Sequence, residues 1–151
     1  MSDFLVDTNV LVYAYDPSDD SKRQRGIAVL ERLGDSGRGV LTTQVLGEFF
    51  VTVTRKIPSP LSPEQAERSL TNYVRSWTVF DLTPAVVLEA ARAVRQYQMA
   101  YWDALVWSSA KLNQVAYVLT EDLTDGTLIE NVRFVNPLSD SFDLAMLDTR
   151  A

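Results

Sequence analysis

The stretch FLVDTNVLVYAYD, Phe4 to Asp16, decides how the rest of the chain is read. An apolar run ends at Val6, a carboxylate follows at Asp7, two more polar residues come next, and apolar residues resume at Val10. A short, uniformly apolar run predicts a strand buried on both faces, here Asp3 to Val6. The apolar residues Val10 to Tyr15 predict a short helix. Asp7 thus stands between a strand and a helix, where a carboxylate can cap the helix or hold a metal.

The same alternation continues along the chain. A polar stretch, Asp16 to Gln24, leads into helical spacing at Ile27, Leu30 and Leu33, which ends within the glycine-rich segment Gly34 to Gly39. Val40 to Thr43 read as a second strand, followed by a helix carrying Val45, Leu46, Phe49, Phe50 and Val53 at helical period. A break at Ile57 to Pro63 precedes a helix from Glu64 to about Trp77. WTVFDL (77–82) is a strand, and Thr83 then caps a helix with Pro84 at its first position, where the missing N–H costs nothing. AYWDALVWSSAKLNQ (100–114) is a helix with its apolar face at Leu105, Val106 and Ala110. Val115 to Thr120 and Val132 to Pro137 complete the strands. Uniformly apolar strands alternating with helices predict an α/β fold with a mostly parallel twisted sheet covered on both faces. Neither a repeat nor a linker divides the chain, so one domain over residues 1–151 is expected.

Composition narrows the chemistry. The chain has 151 residues, no cysteine and no histidine. Disulfides, thiolate nucleophiles, Ser-His-Asp machinery and imidazole- or thiolate-bound zinc are therefore excluded. Any bound metal must be held by oxygen, which favours hard cations such as magnesium or manganese. The net charge of −6 gives no basic footprint in bulk, although a metal and a local basic patch can offset an acidic field. No apolar run reaches the roughly 18 residues of a membrane span, and no basic segment precedes an apolar one as in a signal peptide. A cytoplasmic location is the expectation.

Right-handed crossovers place every strand end and following helix start at one edge of the sheet, where ligands of open α/β sheets bind. Asp7 follows the first strand directly, and Asp122 follows the strand ending near Thr120. Asp103 lies in the first turn of its helix, and Glu48 lies about 7 Å below the start of the helix after VLTT. Each acid also has a purely structural reading. Asp7 can cap a helix together with Thr8 and Asn9, and Asp103 can complement a helix dipole. Asp122 and Asp125 suit a turn. Glu48 resists such a reading, because it sits between Leu46 and Phe49 in a mostly apolar helix. Four acids arriving at one edge are poorly explained by independent caps. Without an adjacent lysine or arginine they repel one another, so a proton or a divalent cation must neutralise them.

In order, FLVDTNVLVY, GEFF, AYWDALVWSSA, LTEDL and RFVNPL resemble the PIN domain, in particular the VapC ribonuclease toxins of bacterial toxin–antitoxin pairs. The resemblance runs from Asp3 to about Leu138. It implies a three-layer α/β/α sandwich, dependence on Mg2+ or Mn2+, and endonucleolytic cleavage of RNA. It makes Asp7, Glu48, Asp103 and Asp122 the catalytic, metal-binding acids, with Thr8 or Asn9 assisting and Asp125 competing with Asp122 for the fourth place. A cognate antitoxin that reaches the site with a basic side chain, and a homodimer, are implied partners.

RNA phosphates need cations, and Lys22, Arg23, Arg25, Arg55 and Lys56 are the candidates. Tyr13, Tyr101 and Trp102 flank the acids and can stack on bases. The segment Glu64 to Trp77 carries apolar residues suited to a dimer or antitoxin groove. Among rival readings, a receiver-type magnesium-binding signalling domain resembles this pattern but wants a lysine after its last strand, where NPLSD stands. A haloacid dehalogenase-type phosphatase wants D-x-D where D-T-N stands. A non-catalytic PIN-like binding module is the third reading, and the presence of all four acids argues against it.

Overall fold

Three consecutive residues with no exposed surface, Phe4 to Val6, form β1. The computed structural model describes residues 3–148. After β1 come α1 (Thr8–Tyr13), α2 (Asp20–Ser36), β2 (Gly39–Thr42), α3 (Thr43–Arg55), α4 (Pro63–Ser76) and β3 (Thr78–Phe80). The chain continues through α5 (Pro84–Tyr97), α6 (Tyr101–Leu112), β4 (Tyr117–Leu119), β5 (Leu128–Ile129) and β6 (Val132–Val135), and ends on a 3-10 turn, Leu144–Asp148.

The strands form one six-stranded sheet in the order β3-β2-β1-β4-β6-β5, and every neighbouring pair is parallel except β5 with β6. From β1 the chain steps outward through β2 to β3, then returns across the sheet to place β4 on the other side of β1. Right-handed crossovers in opposite directions put the connecting helices on opposite faces. Accordingly α1 packs on α2 and α3, and α3 packs on α4, whereas α5 and α6 pack on each other. Helices thus cover both faces of the sheet. The reversal of strand order also opens a crevice between the carboxyl ends of β1 and β4.

Local chemistry explains most boundaries. The Thr42 hydroxyl accepts the Val45 N–H at 3.1 Å and starts α3 directly from the end of β2. Ser62 and Gln65 form a reciprocal capping box at α4, and Thr83 caps α5 ahead of Pro84. Gly37, at φ +70°, ends α2 in the left-handed conformation that glycine adopts without steric cost.

At four places the structure corrects the sequence-based expectations or adds to them. First, α1 begins at Thr8 rather than Val10, because Asp7 itself supplies the cap. Second, α6 does not present one apolar face: Ala104 to Ala110 are all buried, because the helix lies beneath both α5 and the sheet. Its Ser108 hydroxyl donates to the Val86 carbonyl at 2.8 Å and the Trp107 indole N–H to the Ile129 carbonyl at 3.2 Å. Third, β5 was not anticipated, being two residues long. It turns back to β6 through Glu130 at φ 53°, whose carboxylate is gripped by Arg92, Tyr97 and Lys111. Fourth, the C-terminal segment holds a docked turn: Leu147 is buried, and its carbonyl accepts from the Arg38 guanidinium at 2.6 Å. Residues 149–151 of that segment lie outside the described residues. No helix among the described residues is long and apolar enough to cross a membrane.

Gly39 opens β2 under the Trp77 ring, and a Cβ there would lie 2.2 Å from it. Gly39→Ala is expected to displace Trp77 and lower stability by about 1–3 kcal/mol. Urea unfolding should show this as a lower midpoint with an unchanged slope.

Candidate metal centre

Asp7 sits at the crevice because β1 stops there. Its backbone N–H still belongs to the sheet, donating to the Leu119 carbonyl at 2.9 Å. Its side chain is 7% exposed. One carboxylate oxygen accepts the Thr8 N–H at 2.8 Å, and the other accepts the Thr120 hydroxyl at 2.8 Å. The cap is therefore Asp7 alone, not Asp7 together with Thr8 and Asn9. Asp7 is the N-cap of α1, and Thr8 and Asn9 lie inside the helix.

Thr120 is the hub of this arrangement. Its hydroxyl gives its one proton to Asp7 and accepts from the Asn9 amide and the Asp122 N–H, both at 3.1 Å. One donor and two lone pairs are all a hydroxyl has, so Thr120 is saturated. It couples the end of β4 to the end of β1 and fixes the start of the loop that carries Asp122.

One carboxylate oxygen from each of Asp7, Asp103 and Asp122 lies within 4.8 Å of the others. Asp7 is buried, Asp103 half-buried and Asp122 exposed. No lysine or arginine pairs with any of the three among the described residues. Burial pushes the Asp7 carboxyl up to about 6; the Thr120 and Thr8 hydrogen bonds oppose this, and the Asp122 and Asp103 charges add to it. Asp103 is raised by burial, then by the charges of Asp122 and Glu48. Convergent oxygens with no cationic partner are the donor set a hard divalent ion takes, and the residues present fit such an ion.

Glu48 lies at the rim rather than within this trio. Its carboxylate accepts the Thr8 hydroxyl at 3.1 Å on one oxygen and the Gln44 amide at 2.8 Å on the other. The same Gln44 amide donates to the Trp102 carbonyl at 3.3 Å, which ties α3 to the start of α6 beside Asp103. Asp125 stands elsewhere: it accepts the Asn136 N–H at 2.9 Å and closes the loop between β4 and β6. Between the two competing acids, the fold brings Asp122 to Asp7 and Asp103.

The five candidate cations divide. Lys22 is paired with Glu121 at 3.0 Å and lies over the Tyr13 ring. Arg23 is paired with Asp20, and Arg25 with Asp140 and the Leu138 carbonyl. Arg55 and Lys56 are exposed and have no ion pair among the described residues. Tyr13 borders a cleft with Thr8, Asn9, Glu121 and Asp122, whereas Tyr101 and Trp102 stand exposed at the start of α6. Sequence reasoning did not name Thr120 or Gln44 as site residues. Gln44 could have been found four positions before Glu48, one helical turn away. The role of Thr120 needed the β1–β4 pairing.

A family model described as "PIN domain" matches residues 4–124. No curated protein matches the sequence. Among solved structures, the fold is similar to Mycobacterium tuberculosis VapC20, a sarcin-ricin loop cleaving toxin, at 15% identity and TM-score 0.60, covering 79% of this chain and 89% of that one. It is similar to DNA-bound VapBC from Salmonella typhimurium at 17% identity and TM-score 0.63, covering 91% and 99%. VapBC2 from Rickettsia felis, bound to a promoter DNA fragment, matches at 20% identity and TM-score 0.62, covering 88% and 97%.

Asp7 titrates in the folded chain near 6, above its ordinary value of 3.8. Between these values the folded state holds a proton that the unfolded state releases. Stability is therefore fullest below pH 4 and is lost as pH rises through 6, on the order of 3 kcal/mol from this group. Melting of the metal-free protein should occur at higher temperature at pH 5 than at pH 8. Asp7→Asn should shrink that difference, and a divalent ion should raise the pH 8 value selectively in the wild type.

Proposed function

The chain belongs to the PIN-domain family, and from that premise we propose that it is a metal-dependent endoribonuclease, the toxin of a toxin–antitoxin pair. The observation that carries this reading is the convergence of Asp7, Asp103 and Asp122 at the switch point of a parallel sheet, with no cation among the described residues to balance them. These three acids would hold Mg2+ or Mn2+, with Glu48 at the rim. Held by these acids, such an ion would supply Lewis acidity for activating water and stabilising a leaving oxygen in phosphodiester cleavage.

The protein's own residues do the positioning. Thr8 and Thr120 fix both oxygens of Asp7, and Thr8 and Gln44 fix both oxygens of Glu48. Of the cations, Arg55 and Lys56 can take RNA phosphate without breaking an ion pair, whereas Lys22, Arg23 and Arg25 would have to exchange one. The chain contains no histidine, so proton transfer falls to carboxylates and water. One domain carries the activity in this reading, and a cytoplasmic location is part of it.

The similarity to a toxin named for cleaving the sarcin-ricin loop supports RNA as the substrate class. Similarity to VapBC assemblies supports an antitoxin partner. Such a partner can silence the site by directing a lysine or arginine at the three acids, supplying the charge they lack. A second copy of the chain is the further expected partner.

Purified protein is expected to cleave RNA with Mg2+ or Mn2+, and removal of the ion should abolish cleavage. Asp7→Asn and Asp103→Asn should reduce the rate to near background. Thr120→Val and Gln44→Ala, which leave the acids in place, should lower it about 10- to 100-fold. A wild type that cleaves no RNA with either ion, or Asn variants as active as wild type, would show that the reading is wrong.

A further inference from the structure

Beside the acids, α3 and the start of α6 enclose an open groove of about 450 Å³ lined by Gly47, Glu48, Val51, Thr52, Lys56 and Trp102. Two of its walls are apolar and unusually exposed, with Trp102 at 63% and Val51 at 45%. Tyr101 packs edge-on against the Trp102 ring at 5.5 Å and steadies it. One end of the groove is Glu48, which also borders the acid trio, and Trp102 immediately precedes Asp103 in sequence. At Lys56 the groove presents an ammonium with no ion pair among the described residues.

Gly47 is the second observation. It lies within α3, where glycine is a poor helix former, yet a Cβ added there would meet nothing within 4 Å. The chain's own packing does not require this glycine, and its lack of a side chain keeps the groove floor open.

We infer that this groove is a nucleotide subsite: the Trp102 indole stacks on one base of single-stranded RNA next to the scissile phosphate, and Lys56 holds the phosphate of that nucleotide. This assignment rests on the ribonuclease reading above. An occupant must offer a flat π-face to Trp102 and an anionic group to Lys56 while its chain continues into the acid trio. A nucleotide of a single strand offers all three, and its bases are free to stack because they are unpaired. A basic peptide would meet Lys56 with like charge.

The test separates binding from cleavage. In an Asp103→Asn background, oligoribonucleotides of six adenosines, uridines, cytidines or guanosines are titrated in turn, following both tryptophan fluorescence and the anisotropy of a 5′-labelled strand. Fluorescence should be quenched on binding, and Trp102→Phe should remove the quenching while retaining most of the affinity. Trp102→Ala should weaken binding about 5- to 100-fold. Gly47→Gln should melt no lower than its parent yet bind RNA more weakly, because it fills the groove from a better helix former. In the active protein, Trp102→Ala should raise KM far more than it lowers kcat, with Trp102→Phe restoring much of it.

Cleavage by wild type with unchanged KM and binding in Trp102→Ala overturns the subsite and leaves the ribonuclease reading standing. RNA binding that depends on Trp102 without cleavage supports the subsite and counts against the nuclease. Quenching of Trp102 by a co-purifying polypeptide but by none of the oligoribonucleotides assigns the groove to a protein and overturns the proposal.

Discussion

The Asp7 carboxylate is held out of water at the end of the central strand, and the residues around it are arranged by what that burial demands. Both its oxygens are occupied, by the Thr8 N–H and the Thr120 hydroxyl. Neither donor carries a charge, so neither cancels the anion. The folded chain therefore keeps an acid whose ionisation it disfavours, and sets Asp103 and Asp122 close enough to disfavour it further. A structure built only for stability would place a lysine there, or an apolar side chain. Three carboxylates gathered in this way at the crevice of an α/β sheet could hold a cation.

The rest of the sheet serves that placement. Parallel pairing of β1 with β4 brings Thr120 level with Asp7, so one hydroxyl can bind the strand end, the Asn9 amide and the Asp122 N–H together. On the opposite flank, α3 starts without a loop from β2, which lets Glu48 and Gln44 reach the same crevice. Gln44 then joins α3 to α6. The acids thus come from elements on both faces of the sheet, and hydrogen bonds fix the carboxylates of Asp7 and Glu48.

Charge is distributed with similar economy. Lys22, Arg23 and Arg25 on α2 are each engaged by an acid, and Arg92 and Lys111 serve the Glu89–Glu130 cluster on α5 and the β5–β6 turn. Arg55 and Lys56, without an ion pair among the described residues, close α3, and Lys56 lines a groove with the exposed Trp102. An overall acidic chain can in this way still present a local cationic edge to a polyanion.

Much of this was legible in the sequence. Uniformly apolar strand segments alternating with helices pointed to a parallel sheet covered on both faces, and the handedness of crossovers then sends Asp7, Glu48, Asp103 and Asp122 to one edge. Absence of histidine and cysteine restricted a bound metal to oxygen ligands. Distances and partners were not legible. That Asp7 is its own helix cap, that Asp122 rather than Asp125 meets Asp7 and Asp103, and that Glu48 stands at the rim all depend on side-chain directions at strand ends. The short β5 strand exists only because β6 offers it an edge. Local pattern determines which residues become strand or helix, because periodicity and capping act over a few positions. Which carboxylates meet is decided by pairing between segments more than a hundred residues apart, such as Asp7 with Thr120, and only the folded chain brings those together.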